Sequence, residues 1–314
     1  MSIQWYPGHM HKAIKQIKEV LPKIDLIIEM LDARIPYSSG NPVISQLSGN
    51  KPRIKILNKS DLADPQITLS WQKYWEEELN IKSITLAPNQ PEKIKQLSQL
   101  IKKRVPGKDN TSSEKGGQII NVMIMGIPNV GKSTLINTLT GRALAKTGNE
   151  PAVTKGQQRI NLGNGISLLD TPGILWPKVD NKKSGYRLAA TGAIRDTAMS
   201  YDDVAFNTVD YLLKAYPLRL RERYQLNTLP VTELEFLEAA GAKRGCLRSG
   251  GMVDLEKIAT VFLNELRNGM LGRISLETPS MMVEEEEELA HFLAKIAAEK
   301  EAKKAARKKK KLRR

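Results

Sequence analysis

Eight consecutive residues carry the most specific chemistry in the chain. Gly126-Ile127-Pro128-Asn129-Val130-Gly131-Lys132-Ser133 is a complete G-x-x-x-x-G-K-[ST]. Glycines at both ends let main-chain N–H groups curl around a β-phosphate, and the positive end of a following helix adds to the field. Lys132 is placed to reach β and γ oxygens, and the Ser133 hydroxyl to bind Mg²⁺. Asn129, Val130 and Thr134 complete the phosphate-binding set. Such a pattern can also be a Gly-rich turn capping a helix. Here residues 119–125 read as an apolar strand before it, and 134–139 as a helix after it, which is the context the chemistry needs.

Two short motifs extend the reading. Asp170-Thr171-Pro172-Gly173 closes an apolar strand 37 residues after Ser133. Asp170 stands where an aspartate holds Mg²⁺ through water, and the Gly173 N–H where it can meet a γ-phosphate. Asn58-Lys59-Ser60-Asp61 selects the base: the Asp61 carboxylate can accept both the N1–H and the N2–H₂ of guanine, a pairing adenine cannot offer. Asn58 is expected to brace the loop and the Lys59 stem to cover the ring face. Either tetrapeptide alone is a common turn. With the phosphate loop they point to GTP.

The order of these motifs is unusual, because Asn58 precedes Gly126 by 68 residues whereas the phosphate loop ordinarily comes first. Trp5-Tyr6-Pro7-Gly8-His9-Met10 and Asp32-Ala33-Arg34-Ile35-Pro36 are further distinctive runs. On these residues the chain resembles the circularly permuted GTPases, most closely the bacterial ribosome biogenesis GTPase A (YlqF-like) family. The resemblance covers nearly the whole chain, with its specific motifs in the first 175 or so residues. It implies slow, ribosome-stimulated GTP hydrolysis in assembly of the large ribosomal subunit. It also makes Thr154 the switch threonine facing Mg²⁺ and γ-phosphate, with Ala152 where the family has Gly, and puts a base-lining element near Leu86 and Ala87. His9 is equally a helix-start histidine bonding the backbone and a candidate for catalysis or sensing. Ile174 occupies the position of the water-orienting glutamine of Ras-like GTPases and cannot perform that task. Asn129 is a candidate K⁺ ligand, as in GTPases with a similar P-N-V-G-K-S loop.

Positioning these residues requires an α/β scaffold. Apolar runs at 24–31, 53–57, 82–87, 119–125 and 166–169 read as strands, with helices at 71–79, 92–104 and 134–139 between them, which predicts a mostly parallel sheet. Gln158–Leu162 and Ile166–Leu169 read as a hairpin around Gly163-Asn164-Gly165. Met10, Ile14, Ile17 and Leu21 make a first amphipathic helix limited by Pro22, and residues 106–117 read as a linker. From about Gly185 strand signals vanish, and helices are expected at 204–215, 231–240 and 255–267. Leu289, Phe292, Leu293 and Ile296 give a last helix one apolar face. Glu284–Glu288 are read as complementing its dipole at the start, and the basic run at its end. The expected organisation is a permuted P-loop GTPase domain (1–178), an all-α C-terminal domain (185–298) and a basic tail (299–314).

The 314 residues suit two domains. Lys and Arg number 49 against 34 acidic residues, for a net +15, of which +8 lies between Glu299 and Arg314. A chain still basic without its tail favours a polyanionic partner such as rRNA. No apolar stretch is long enough for a membrane span, the N-terminus lacks a secretory segment, and Cys246 is alone, so a cytoplasmic protein is expected. Sequence thus predicts a GTP-hydrolysing assembly factor, a monomer, using Mg²⁺, with K⁺ as a candidate added cation.

 The alternatives are an rRNA-binding module with structural GTP, and a GTPase held at a membrane surface by its polybasic end.

Overall fold

The computed structural model describes residues 8–87, 90–106, 119–140, 158–162, 165–175, 179, 181–194 and 200–312, with side chains given from Lys12 to Glu301 within these ranges. In chain order the elements are α1 (Gly8–Val20), β1 (Leu26–Asp32), α2 (Pro42–Ser48), β2 (Arg53–Asn58), α3 (Pro65–Leu79), β3 (Lys82–Thr85), α4 (Pro91–Arg104), β4 (Ile120–Gly126), α5 (Lys132–Thr140), β5 (Gln158–Asn161) and β6 (Ile166–Asp170). Among the described residues the elements that follow are the helices α6 (Lys182–Ala190), α7 (Tyr201–Ala215), α8 (Pro217–Tyr224), α9 (Glu233–Lys243), α10 (Leu255–Arg267) and α11 (Pro279–Leu312).

The six strands form one sheet in the order β3-β2-β1-β4-β6-β5. Its pairs are parallel except β5 with β6, which is the antiparallel hairpin expected from sequence. Parallel strands covered on both faces are nearly continuous apolar runs, and all seven residues of β1 are buried. Alternation along β1 separates the two faces. Leu26, Ile28 and Met30 join a core that runs on through Leu188, Val209, Phe236 and Phe262 of the helical half. Ile27 faces the other way, packing with Ile17 of α1 and with Met123, Met125 and Leu169.

Capping explains where several helices begin. Asp64 accepts from the N–H groups of Gln66 and Ile67, and Pro65 follows at the first helical position, so α3 starts before the expected Trp71. The side chain of Asn41 caps α2, a seven-residue helix too short to show periodicity in the sequence. In the third strand the Leu86 carbonyl accepts from Ser60 N–H, and the ladder ends at Thr85 instead of Ala87.

One expectation about α11 is corrected. The helix starts at Pro279, so Glu284–Glu288 lie beyond its first turn, where the dipole's influence has faded. Glu285 is instead buried and ion-paired with Arg187 at 2.6 Å, and exposed Glu288 pairs with Lys183. The apolar face is present, but Phe292 is 58% and Leu293 42% exposed. The linker at 107–117, Gly163, Asn164 and Thr154 lie outside the described residues.

Candidate nucleotide site

Asp32, Asn58, Gly126 and Asp170 end four parallel strands, and the register places Asp32 beside Asn58 and Ile124 beside Asp170. The motifs at these four residues therefore emerge on one side of the sheet, at the carboxyl ends where open α/β sheets bind ligands. Residues 26 and 46 positions apart in sequence become neighbours only through this topology.

The phosphate loop joins β4 to α5 and buries Lys132 to 6% exposure. The Lys132 ammonium donates to the carbonyls of Gly126 at 3.1 Å and Ile127 at 2.8 Å. Burial lowers its pKa to about 8, against a smaller opposing pull from Asp170. Asp170 is 1% exposed, and neither carboxylate oxygen has a hydrogen-bond partner among the described residues. Burial pushes its pKa up to about 6, with Lys132 offsetting part of that shift. Gly173 lies so close to the loop that a Cβ there would sit 2.8 Å from Pro128 and 3.1 Å from Lys132 Nζ. The next N–H, of Ile174, donates to the Gly126 carbonyl at 3.1 Å. The Ile174 side chain is buried in the cluster under α1 with Ala13 and Ile17.

The base-side loop is tied to the phosphate side. Asn58 Nδ2 donates to the Val130 carbonyl at 2.8 Å, the bracing role expected of it. Gly131 follows with φ +99°, and a Cβ there would stand 2.2 Å from Asn58 Nδ2. Lys59 has φ +58°, unusual for a residue with a side chain, and its ammonium donates to Asp32 Oδ2 at 3.0 Å. Ser60 donates through both N–H and Oγ to the Leu86 carbonyl, bringing buried Leu86 and half-buried Ala87 against the loop. Asp61 is exposed at its tip. Ser133 is half-buried and Thr134 exposed at the start of α5. Asn129, also in left-handed backbone at φ +57°, donates Nδ2 to the Gly192 carbonyl at 2.9 Å. His9 lies in the first turn of α1, and its side chain, like all of Thr154, is outside the described residues.

Sequence reading missed the groups behind this site. Asp32 pairs with Arg34 at 2.8 Å as well as with Lys59. Burial alone would raise the Asp32 pKa, but Arg34 and Lys59 together hold it far below the usual carboxylate range. Glu277, wholly buried before α11, accepts from the Ser38 N–H and hydroxyl and from Arg187. The charged residues of Asp32-Ala33-Arg34 were visible in the sequence, but their partners come from distant segments.

Comparison with known proteins decides the family. A family model described as "50S ribosome-binding GTPase" matches residues 121–233. Ribosome biogenesis GTPase A of Priestia megaterium is 46% identical over 283 residues, covering 89% of this chain and 98% of that relative. The chain belongs to the ribosome biogenesis GTPase A family. The member from Thermotoga maritima is 31% identical over 88% of this chain and 95% of its own length. GNP-bound YlqF from T. maritima superposes with a TM-score of 0.59 at 28% identity, covering 85% of this chain and 98% of that one. A GDP-bound YlqF gives 0.62 at 27% identity, covering 84% and 99%. As a member of the ribosome biogenesis GTPase A family, the chain is a P-loop GTPase of circularly permuted topology with a helical C-terminal region, and it acts in ribosome biogenesis.

Proposed function

We propose that this GTPase is an assembly switch for the large ribosomal subunit, docking on rRNA in a nucleotide-dependent way. The observation that carries the nucleotide half of this reading is the pair Lys132 and Asp170. One is a buried ammonium held by main-chain carbonyls, and the other a buried carboxylate without a hydrogen-bond partner among the described residues. A buried carboxylate in that condition is costly unless a cation compensates it. The donor set fits Mg²⁺, a hard cation that prefers oxygen ligands. Ser133 and Thr154 would hold it directly and Asp170 through water. When bound, the ion neutralises charge on the β- and γ-phosphates.

The chain's own groups do the rest. Main-chain N–H groups of Val130, Gly131, Lys132, Ser133 and Thr134 cradle the phosphates, and Gly173 N–H meets the γ-phosphate. Asp61 pairs with the guanine edge, Lys59 covers the ring, Asn58 holds the two loops together, and Leu86 and Ala87 line the base. Ile174 supplies no hydrogen bond to water, so basal turnover is slow. Asn129 is the candidate K⁺ ligand, and His9 is the candidate group brought to the water by docking.

Residues 1–178 form the GTPase unit in this reading, 185–298 the docking unit and 299–314 a basic extension. Exposed Arg219, Arg221 and Lys243 on the helices, with the +8 of the last sixteen residues, support a polyanionic partner. The protein works as a monomer in the cytoplasm. No helix among the described residues is long and apolar enough to cross a membrane.

The test measures GTP turnover in Na⁺, in K⁺, and in K⁺ with purified large subunits. Rates should rise in that order, and His9→Ala should lower only the subunit-stimulated rate while leaving GTP binding intact. A free protein in Na⁺ as fast as the subunit-bound protein in K⁺ would refute the proposal. Absence of any stimulation would favour an RNA-binding module with structural GTP.

A further inference from the structure

We infer that Arg267, the last residue of α10, is a positioning residue for GTP hydrolysis, acting on the phosphate loop through Gly192 and Asn129. Its guanidinium donates from Nε to the Ala190 carbonyl at 3.0 Å and from Nη2 to the Ala189 carbonyl at 2.9 Å. These are the last two carbonyls of α6, and that of Ala189 also accepts from the Gly192 N–H at 3.0 Å. A planar fork satisfies both at once, which fixes the turn that follows. That turn ends in Gly192 at φ +79°, whose carbonyl receives Asn129 Nδ2 at 2.9 Å. With Nδ2 so engaged, the opposite edge of the amide, Oδ1, is fixed in direction as well. Oδ1 is the negative end of the amide dipole, suited to hold a cation against the phosphates, and a fixed direction for it is lost if the amide can rotate.

The same residue serves the base side by a different atom. The Arg267 main-chain carbonyl accepts from Arg34 Nη1 at 3.4 Å, and Arg34 pairs with the Asp32 that holds Lys59. Just beyond, Ile274 N–H donates to the Leu62 carbonyl, and a Cβ on Gly269 would lie 2.7 Å from Leu62 Cδ2. The side chain of Arg267 thus governs the phosphate loop, while its backbone abuts the loop that reads the base. Truncating the side chain should therefore lower kcat and spare KM.

The inference rests on the assignment of Asn129 to the nucleotide site, and a double-mutant cycle on the full-length protein separates the two. Arg267→Ala should lower kcat for GTP about fivefold to tenfold, with KM changed less than twofold. Arg267→Lys should also be slower than the parent, because an ammonium keeps the charge but lacks the rigid planar fork that meets the two carbonyls from separate nitrogens. Arg267→Ala combined with Asn129→Ala should be no slower than Asn129→Ala alone. Should Arg267→Ala fail to fold, Arg267→Lys takes its place in the cycle. Full activity of Arg267→Lys, or losses that multiply in the double variant, would overturn the inference and leave the role of Asn129 standing. Parental turnover by Asn129→Ala would remove the assignment and the inference together.

Discussion

The side-chain amide of Asn58 donates to the main-chain carbonyl of Val130 at 2.8 Å, joining the N-K-x-D loop to the G-x-x-x-x-G-K-S loop. The two residues are 72 positions apart, with the N-K-x-D loop first in the chain. Spatial order at the site is thus independent of chain order, because parallel strands deliver each loop to the same edge wherever the chain begins. Asn58→Ala should weaken GTP binding about tenfold, the equivalent of roughly 1.4 kcal/mol for one half-buried hydrogen bond. Gly131→Ala should cost more, since its Cβ would collide with the Asn58 amide and its φ is strained for alanine. Titration with a fluorescent GDP analogue checks both.

The base pairing makes a separate demand. Asp61→Asn should weaken GTP and admit xanthine nucleotides, because an amide can donate to the xanthine C2 carbonyl that replaces the guanine amine. Competition between GTP and XTP reads this directly, and an unchanged preference for GTP would rule out the pairing.

Asp32 carries a pH signature. Its folded pKa is held well below the unfolded value by Arg34 and Lys59, so its contribution is present above about pH 4 and lost as pH falls through the folded pKa. Asp32→Asn leaves Arg34 buried beside a neutral group and should cost about 3 kcal/mol at pH 7. The gap between parent and variant should stay constant from pH 7 to 5 and narrow at pH 3. Urea unfolding at each pH supplies the comparison.

Ile174 invites a repair that should fail. Ile174→Gln restores the residue type that orients water in Ras-like enzymes, yet the native side chain is 2% exposed and packed against α1. An amide buried there should cost about 2 kcal/mol of stability and leave basal turnover no faster. A rise of tenfold or more in the free protein would show that the side chain turns out toward the nucleotide.

The basic end should reveal itself through salt. Single-stranded RNA loses affinity with log[salt] at about −0.7 per phosphate neutralised. A chain cut after Ala298 should therefore bind RNA with a shallower slope and keep its affinity for GTP. Equal slopes would assign the tail to solubility alone.

The sheet was legible because its strands are buried on both faces and appear as apolar runs between turn residues. The phosphate loop and N-K-x-D were legible because each is contiguous. What escaped were relationships between segments. Glu277 meets Ser38 and Arg187 from 239 and 90 positions away, and no local pattern marks it. Asn129 offered its residue type but not its attachment to Gly192. The acidic run at 284–288 suggested a dipole partner, whereas tertiary pairing of Glu285 with Arg187 defines it. Helices α2 and α8, of seven and eight residues, are too short for a periodic signal.

Helix α11 continues for 34 residues without a break, from its packed root to the basic end. At 1.5 Å per residue its last lysines stand roughly 40 Å from Glu285. That is several times the Debye length of about 8 Å at physiological ionic strength. The field of those charges, or of a polyanion gripping them, is extinguished long before it reaches the Arg187 pair at the root. Any message from the tip to the nucleotide must travel as torque on a stiff lever whose fulcrum is that buried ion pair.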